Sequence, residues 1–323
     1  MRGFVTLHST PDWTAHFSPA KRAVISIGNF DGLHLGHQKI LRSVVECARS
    51  KDAIAAAVTF DPHPVKVLRP QQAPSMLQTL PQRLAGFADL RLDAALVLRF
   101  DATLASHTAE QFVSEILVPL RTSAIFVGSN FRFGHRQAGN VELLQQFGRQ
   151  FDFTVEIVDP VVRHGIIISS TFIRQALAEG RVSEAADFLG RPFALTGQIV
   201  SGAGRGRTIL VPTLNLAPDQ ELVPANGVYA TEAEVGGRVY RSATNIGVRP
   251  TFAGTHRSIE SHLFDFSEEI SSGPLEVRFW KRLRDERKFD GPQALLQQIA
   301  ADMDQARDFF QRRDVSPTPT TQS

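Results

Sequence analysis

Up to about residue 190 the chain is written as short apolar runs, each closing on a polar loop marked by glycine or proline. Ala23 to Ile27 stops at Gly28, and Ala53 to Phe60 stops at Asp61-Pro62-His63-Pro64; Ala94 to Leu98 and Ala124 to Val127 are further runs of the buried type. Between them Ile40, Leu41, Val44, Val45 and Ala48 recur at the helical period, and 111–118 reads as helix. This alternation predicts an α/β domain with a parallel sheet covered by helices on both faces. Ligands of such sheets bind where the strands end at their carboxyl side.

The texture changes at Gly190-Arg191-Pro192, a helix stop followed by a residue that cannot resume the helix. Beyond it lie Phe193–Val200, Gly227–Ala230, Arg238–Ile246, Ser258–Phe266 and Leu275–Trp280, short strand-like runs with turn signals between them. They suit a small antiparallel β-barrel. A final helix opens at Pro292, with Leu295, Leu296, Ile299, Met303, Ala306 and Phe310 as its apolar stripe. The expected organisation is a domain over 1–189, a second over 190–312 and a disordered tail over 313–323.

Composition narrows the class. Hydrophobic residues make up 42% of 323, enough for two cores, and 35 basic against 33 acidic residues leave a net charge of +2. Neither a nucleic-acid partner nor a membrane is expected, because no concentrated basic face stands out and no apolar run approaches the ~18 residues of a membrane span. Pro11, Asp12 and Trp13 occupy the place where a secretory signal would carry its apolar core, so a cytoplasmic protein is expected. Cys47, the single cysteine, excludes a disulfide framework and a multi-cysteine zinc site.

Two groups of segments carry chemistry, one in each half of the chain. Gly28-Asn29-Phe30-Asp31-Gly32-Leu33-His34-Leu35-Gly36-His37 follows a buried strand and opens a helix. Alone, two histidines three apart would read as a surface pair. Placed at a helix start, where free N–H groups and the dipole favour an anion, they read as a polyphosphate site. Ser169-Ser170-Thr171 opens another helix with Arg174 in its first turn, where a bound phosphate would offset the unfavourable dipole. In the second half, Gly202-Ala203-Gly204-Arg205-Gly206-Arg207-Thr208 is glycine-rich but lacks the Gly-Lys-Ser/Thr of a P-loop. Thr213 and Asn215 share one face of a strand and offer two neutral oxygens of the kind Mg²⁺ accepts. In Ser258 to Phe266 the period of two puts Glu260, His262, Phe264 and Phe266 on one face, and makes Glu260 a candidate general base.

With Phe60–Pro64, Gly128–Gly134, Pro224–Tyr229 and Asn245–Phe252 added, these segments resemble the bacterial bifunctional riboflavin kinase/FMN adenylyltransferase family over about residues 20 to 310. The resemblance implies a Rossmann-like nucleotidyltransferase domain followed by a riboflavin kinase-like barrel. It implies that His34 and His37 stabilise ATP phosphates during transfer to FMN, with Gly28, Asn29, Phe30, Gly36, His63, Asn130, Ser170, Thr171 and Arg174 around the nucleotide and flavin. In the barrel it implies that Gly202, Gly204, Arg207, Thr208, Asn226 and Arg249 bind ligand. Thr213 and Asn215 would hold Mg²⁺–ATP, and Glu260 would deprotonate the terminal ribityl hydroxyl of riboflavin. Asn130 and Asn140 stand where relatives often carry an acid. Two other readings stay open: an adenylyltransferase with a different acceptor and a barrel that only binds ligand, and a flavin-sensing or RNA-binding protein. The oligomeric state, monomer or transient oligomer, is also left open.

Overall fold

The computed structural model describes residues 3–200, 213–251, 254–268, 270–287, 289 and 291–315. Six strands form the first sheet: β1 (Val5–Leu7), β2 (Ala23–Ile27), β3 (Ile54–Asp61), β4 (Ala94–Arg99), β5 (Thr122–Gly128) and β6 (Thr154–Val158). Their order is β1-β4-β3-β2-β5-β6, with every pairing parallel. All five residues of β2 are buried, as expected of a central strand covered on both faces. Helices α1 (Thr10–His16), α2 (Leu35–Ser50), α3 (Pro64–Leu68), α4 (Leu80–Asp89), α5 (Ala102–Ser106), α6 (Ala109–Phe112) and α7 (Val141–Phe151) accompany this sheet. Its two faces carry separate cores, one around Ile25, Leu96, Phe112 and Leu144, the other around Val24, Leu41, Val44 and Phe87.

Chain order reverses direction across the sheet between β2 and β5. Strands β2, β3 and β4 run outward one way, while β5 and β6 lie on the other side. That switch point leaves a crevice at the carboxyl ends of β2 and β5, where open α/β sheets take their ligands.

The run 166–168 supplies β8 (Ile166–Ile167), which pairs antiparallel with β7 (Val162–Arg163) in a separate two-stranded hairpin. Helices α8 (Ser170–Ala178) and α9 (Val182–Leu189) come next. The chain divides into two compact units, 1–170 and 171–323, so 171–189 packs with the second. There the Ala225 amide donates to the Leu177 carbonyl (3.0 Å) and Ser183 Oγ to the Trp280 carbonyl (2.9 Å).

The second unit is a closed antiparallel barrel of β9 (Phe193–Val200), β10 (Thr213–Pro218), β11 (Gly227–Val235), β12 (Arg238–Thr251), β13 (Gly254–Leu263) and β14 (Pro274–Arg284), in the order β10-β13-β12-β11-β14-β9. Most strands run longer than the apolar runs that announced them. Strand β13 is shifted: it begins at Gly254 and ends at Leu263, and Asp265 turns through a φ of 55°. The alternation therefore stops before Phe266, which packs against Tyr240 with ring centroids 5.1 Å apart.

Inside the barrel, Ser242, Thr231, Thr244 and Ser261 are wholly buried and form, in that order, a chain of hydroxyls with successive O···O distances of 2.8, 2.6 and 2.8 Å. Outside, α10 (Pro292–Val315) closes over Ala230, Ala243 and Phe264 through Ala306 and Phe310. Its expected stripe is imperfect: Leu296 is 40% exposed, whereas Asp302 is buried at 3% and bound by Arg284. The helix also continues into the segment expected to be tail, where Asp314 pairs with Arg241 at 2.7 Å. Residues 316–323 lie outside the described ones.

Candidate functional site

In the first unit, the loop between β2 and α2 is held by what it buries. Phe30, Gly32 and Leu33 have φ of 50°, 83° and 44°, and Phe30 and Leu33 drop into the core beside Phe87. Leu33 fits because residue 86 on α4 is glycine; a Cβ there would fall 2.4 Å from Leu33 Cδ2. The Asp31 carboxylate accepts from the Leu77 amide (3.0 and 3.2 Å), and the Leu33 carbonyl accepts from Gln38 Nε2 (2.9 Å). These anchors fix where the helix begins.

His34 is the cap of α2. Its Nδ1 accepts from the His37 amide at 3.3 Å, and the two rings stack at 3.7 Å and 16°. With Nδ1 accepting, a neutral His34 carries its proton on Nε2. Gly36 suits this packing, since a Cβ there would come within 3.1 Å of His34 Cε1. Phe30 meets the His37 ring edge-on at 5.4 Å. His37 Nδ1 is buried without a hydrogen-bond partner. Burial, helped by His34 and the Arg83 guanidinium, holds His37 well below the ordinary value of 6.5. The pair is therefore not a fixed double cation, because burial disfavours the charged form of His37. Arg83, which sequence reasoning missed, is 3% exposed and donates to Thr59 Oγ1 and the Phe60 carbonyl, both at 3.1 Å.

The histidines line a cleft of about 1630 Å³ at the switch point, together with Gly28, Asn29, Phe30, Gly36, Asn130 and Ser170. Ser170 Oγ donates to the Asp31 carbonyl at 2.8 Å, tying the start of α8 to the glycine-rich loop. Phe60, Phe100, Phe131 and Phe133 supply aromatic walls. His63 caps α3, its Nδ1 accepting from the Val65 amide at 3.2 Å, and its neighbours Pro64 and Val65 line the cleft. Asn140 caps α7 by accepting from the Leu143 amide at 2.9 Å, a task an aspartate performs equally well. Thr171, exposed, lies in the first turn of α8, whereas Arg174, half-buried, is the fifth residue of the helix and so falls past the first turn where it was expected; both belong to the second unit.

In the barrel, strand register builds a second polar patch. Asn215 on β10 lies directly opposite Glu260 on β13, which lies directly opposite Asn245 on β12. One step along, Thr213 is opposite His262. Facing residues on neighbouring strands point the same way, so Thr213, Asn215, Glu260, His262 and Asn245 share one face. Asn245 was not singled out from sequence; its signal is visible only once the register is known. Asn226 is occupied structurally, its Nδ2 donating to Glu286 (2.9 Å) and its Oδ1 accepting from Arg257 (3.1 and 3.2 Å). Arg249 is described only in its backbone, on β12 opposite His256. Gly202, Gly204, Arg207 and Thr208 lie outside the described residues.

Two family models match the chain in sequence: FAD synthetase over residues 17–172 and riboflavin kinase over 189–310. The bifunctional riboflavin kinase/FMN adenylyltransferase of Escherichia coli K12 is 37% identical over 295 residues, covering 91% of this chain and 94% of that protein. This chain belongs to the bifunctional riboflavin kinase/FMN adenylyltransferase family. The family member from Bacillus subtilis is 33% identical over 310 residues, covering 94% of this chain and 98% of its own length. A crystal structure from Streptococcus pneumoniae, described as a macrolide-efflux protein, superposes with a TM-score of 0.84 at 30% identity over 94% of this chain and 99% of that one. No helix among the described residues is long and apolar enough to cross a membrane.

Proposed function

We propose that the protein catalyses two consecutive steps of flavin cofactor synthesis in the cytoplasm, where ATP is at hand. Riboflavin and ATP give FMN and ADP in the barrel; FMN and a second ATP give FAD and pyrophosphate at the cleft of the first unit. The sequence domains for this division are 1–189 and 190–312, with 171–189 packing as part of the second compact unit. The observation that carries the reading is the stacked histidine pair at the start of α2, facing the switch-point cleft with an unanswered ring nitrogen.

For adenylyl transfer, an oxygen of the FMN phosphate attacks the α-phosphorus of ATP and pyrophosphate leaves. The chain supplies no nucleophile. It supplies position and donors: free amides at the helix start, His34 Nε2–H and the His37 ring, which gains a proton more readily once phosphates lie against it. Asn29, Asn130 and Ser170 lie along the same cleft. Thr171 and Arg174 are assigned to ATP by family resemblance alone.

For phosphorylation, Glu260 takes the proton of the terminal ribityl hydroxyl while that oxygen attacks the γ-phosphorus and ADP leaves. Thr213 and Asn215 are half-buried, share one face and set two neutral oxygens beside Glu260, a donor set that fits Mg²⁺. They would hold the ion, which when bound neutralises phosphate charge. Asn245, opposite Glu260, is placed to orient substrate or carboxylate. The rest of the chemistry is alignment of hydroxyl, base and phosphate.

Purified protein given riboflavin, ATP and Mg²⁺ should form FMN and then FAD, resolved by chromatography. Glu260→Ala should stop FMN formation and spare conversion of supplied FMN to FAD; substitution of His34 and His37 should do the reverse. Joint loss of both activities in either variant refutes the separation of sites.

A further inference from the structure

Among the described residues, two histidine ring nitrogens are buried without a hydrogen-bond partner, His37 Nδ1 in the first unit and His262 Nδ1 in the second. The first belongs to the nucleotide cleft. The second has no role in the mechanism above.

His262 is 9% exposed and stands two residues along β13 from Glu260, on the same face. Directly opposite are Thr213 on β10 and Ala243 on β12. Farther along that face α10 seals Ala243 and Phe264 beneath Ala306 and Phe310. His262 thus sits on a border, with the helix-covered apolar patch behind it and the half-buried polar patch of Thr213, Asn215, Glu260 and Asn245 in front.

The acidic group of α10 that acts on the ring, Asp302, is engaged elsewhere. It accepts from Arg284 Nε and Nη2 at 2.8 and 2.7 Å and from Gln298 Nε2 at 2.7 Å. The His262 ring keeps a buried nitrogen with no hydrogen-bond partner among the described residues, and an imidazole nitrogen suits a hydroxyl, which donates or accepts as the tautomer requires.

We propose that His262 is a substrate-positioning residue of the phosphorylation site, its ring nitrogen hydrogen-bonding the polyol chain of the flavin substrate so that the terminal hydroxyl meets Glu260. The inference rests on the barrel being the site where riboflavin is phosphorylated. It adds a residue that recognises the sugar-alcohol portion of the substrate apart from its ring system. Among the described residues of β10, β12 and β13, it alone has a buried side-chain nitrogen with no hydrogen-bond partner.

The test compares full-length wild type, His262→Leu and His262→Asn for binding of riboflavin and of lumiflavin, which has the ring system without the polyol, by flavin fluorescence without nucleotide. Loss of one buried hydrogen bond should weaken riboflavin binding by His262→Leu about tenfold. Lumiflavin binding should be unchanged, kcat for FMN formation should fall, and His262→Asn should recover part of both losses. Unchanged riboflavin binding, or equal weakening toward riboflavin and lumiflavin, overturns the proposal; the latter assigns His262 to packing. If wild type itself forms no FMN from riboflavin and ATP, the reading of the barrel fails instead.

Discussion

Replacing Thr244 by valine asks whether the hydroxyls inside the barrel act as one chain. Valine keeps the shape and removes the central oxygen, which lies 2.6 Å from Thr231 Oγ1 and 2.8 Å from Ser261 Oγ. Thr231 retains Ser242 Oγ at 2.8 Å. Ser261 Oγ retains no side-chain partner among the described residues, and the site is wholly buried. A lost hydrogen bond costs about 1 kcal/mol and a stranded buried hydroxyl about 1–3 kcal/mol, so Thr244→Val should destabilise the barrel by about 3 kcal/mol. Ser261→Ala alone removes the end of the chain, strands nothing, and should cost about 1 kcal/mol. In the double variant no hydroxyl is stranded, and the loss should return to about 2 kcal/mol, a coupling of about 2 kcal/mol. The serine substitution would then destabilise the wild type and stabilise the valine variant. Urea unfolding followed by Trp280 fluorescence reads this out in a Trp13→Phe background, since the chain has two tryptophans, one in each unit. Additive losses would refute the linked chain.

Other outcomes follow from the same geometry. Glu260→Gln, isosteric but unable to take a proton, should slow FMN formation by about 10²–10⁴-fold in a coupled ADP assay and leave FMN adenylylation intact. Gly36→Ala sets a Cβ 3.1 Å from His34 Cε1, so the ring must give slightly; adenylylation should fall, by less than the ~10²-fold of a ~1 Å misplacement, while riboflavin phosphorylation is unchanged. Burial lowers both His37 and His262 relative to the ordinary value of 6.5, so the folded state binds fewer protons than the unfolded chain. Their contribution to stability is full above pH 6.5 and is lost as pH falls below it; thermal midpoints should drop on the acid side, less steeply in His37→Gln.

The sheet, its switch-point loop and the barrel were readable because they depend on local pattern: buried runs that end at glycine or proline loops, a helix opened by the 28–37 stretch, and period-two strands after Pro192. Strands β1 and β6 were not read. The first has three residues, and the second is an edge strand whose Thr154, Glu156 and Ile157 face solvent, so neither produces an apolar run. Helix α7 was not read either; Gly148 interrupts its pattern, and that glycine is fixed by Phe153, a contact made only after folding. At the sites, residue identity was legible and partnership was not. Arg83 reaches Thr59 across twenty-four positions, and Asn245 joins Glu260 through strand register. Conversely, Asn226 looked available in sequence and is already held by Glu286 and Arg257.

The boundary between the compact units, one residue inside α8, bears on any attempt to separate the two activities by cutting the chain. A fragment begun at residue 190, where the sequence texture changes, would lack the Leu177 carbonyl that receives the Ala225 amide and the Ser183 hydroxyl that answers Trp280. It would also uncover the buried Phe188 and Leu189 contacts of α9. A barrel expressed from residue 171 keeps these and should be the minimal kinase that folds, while the shorter piece should come out insoluble.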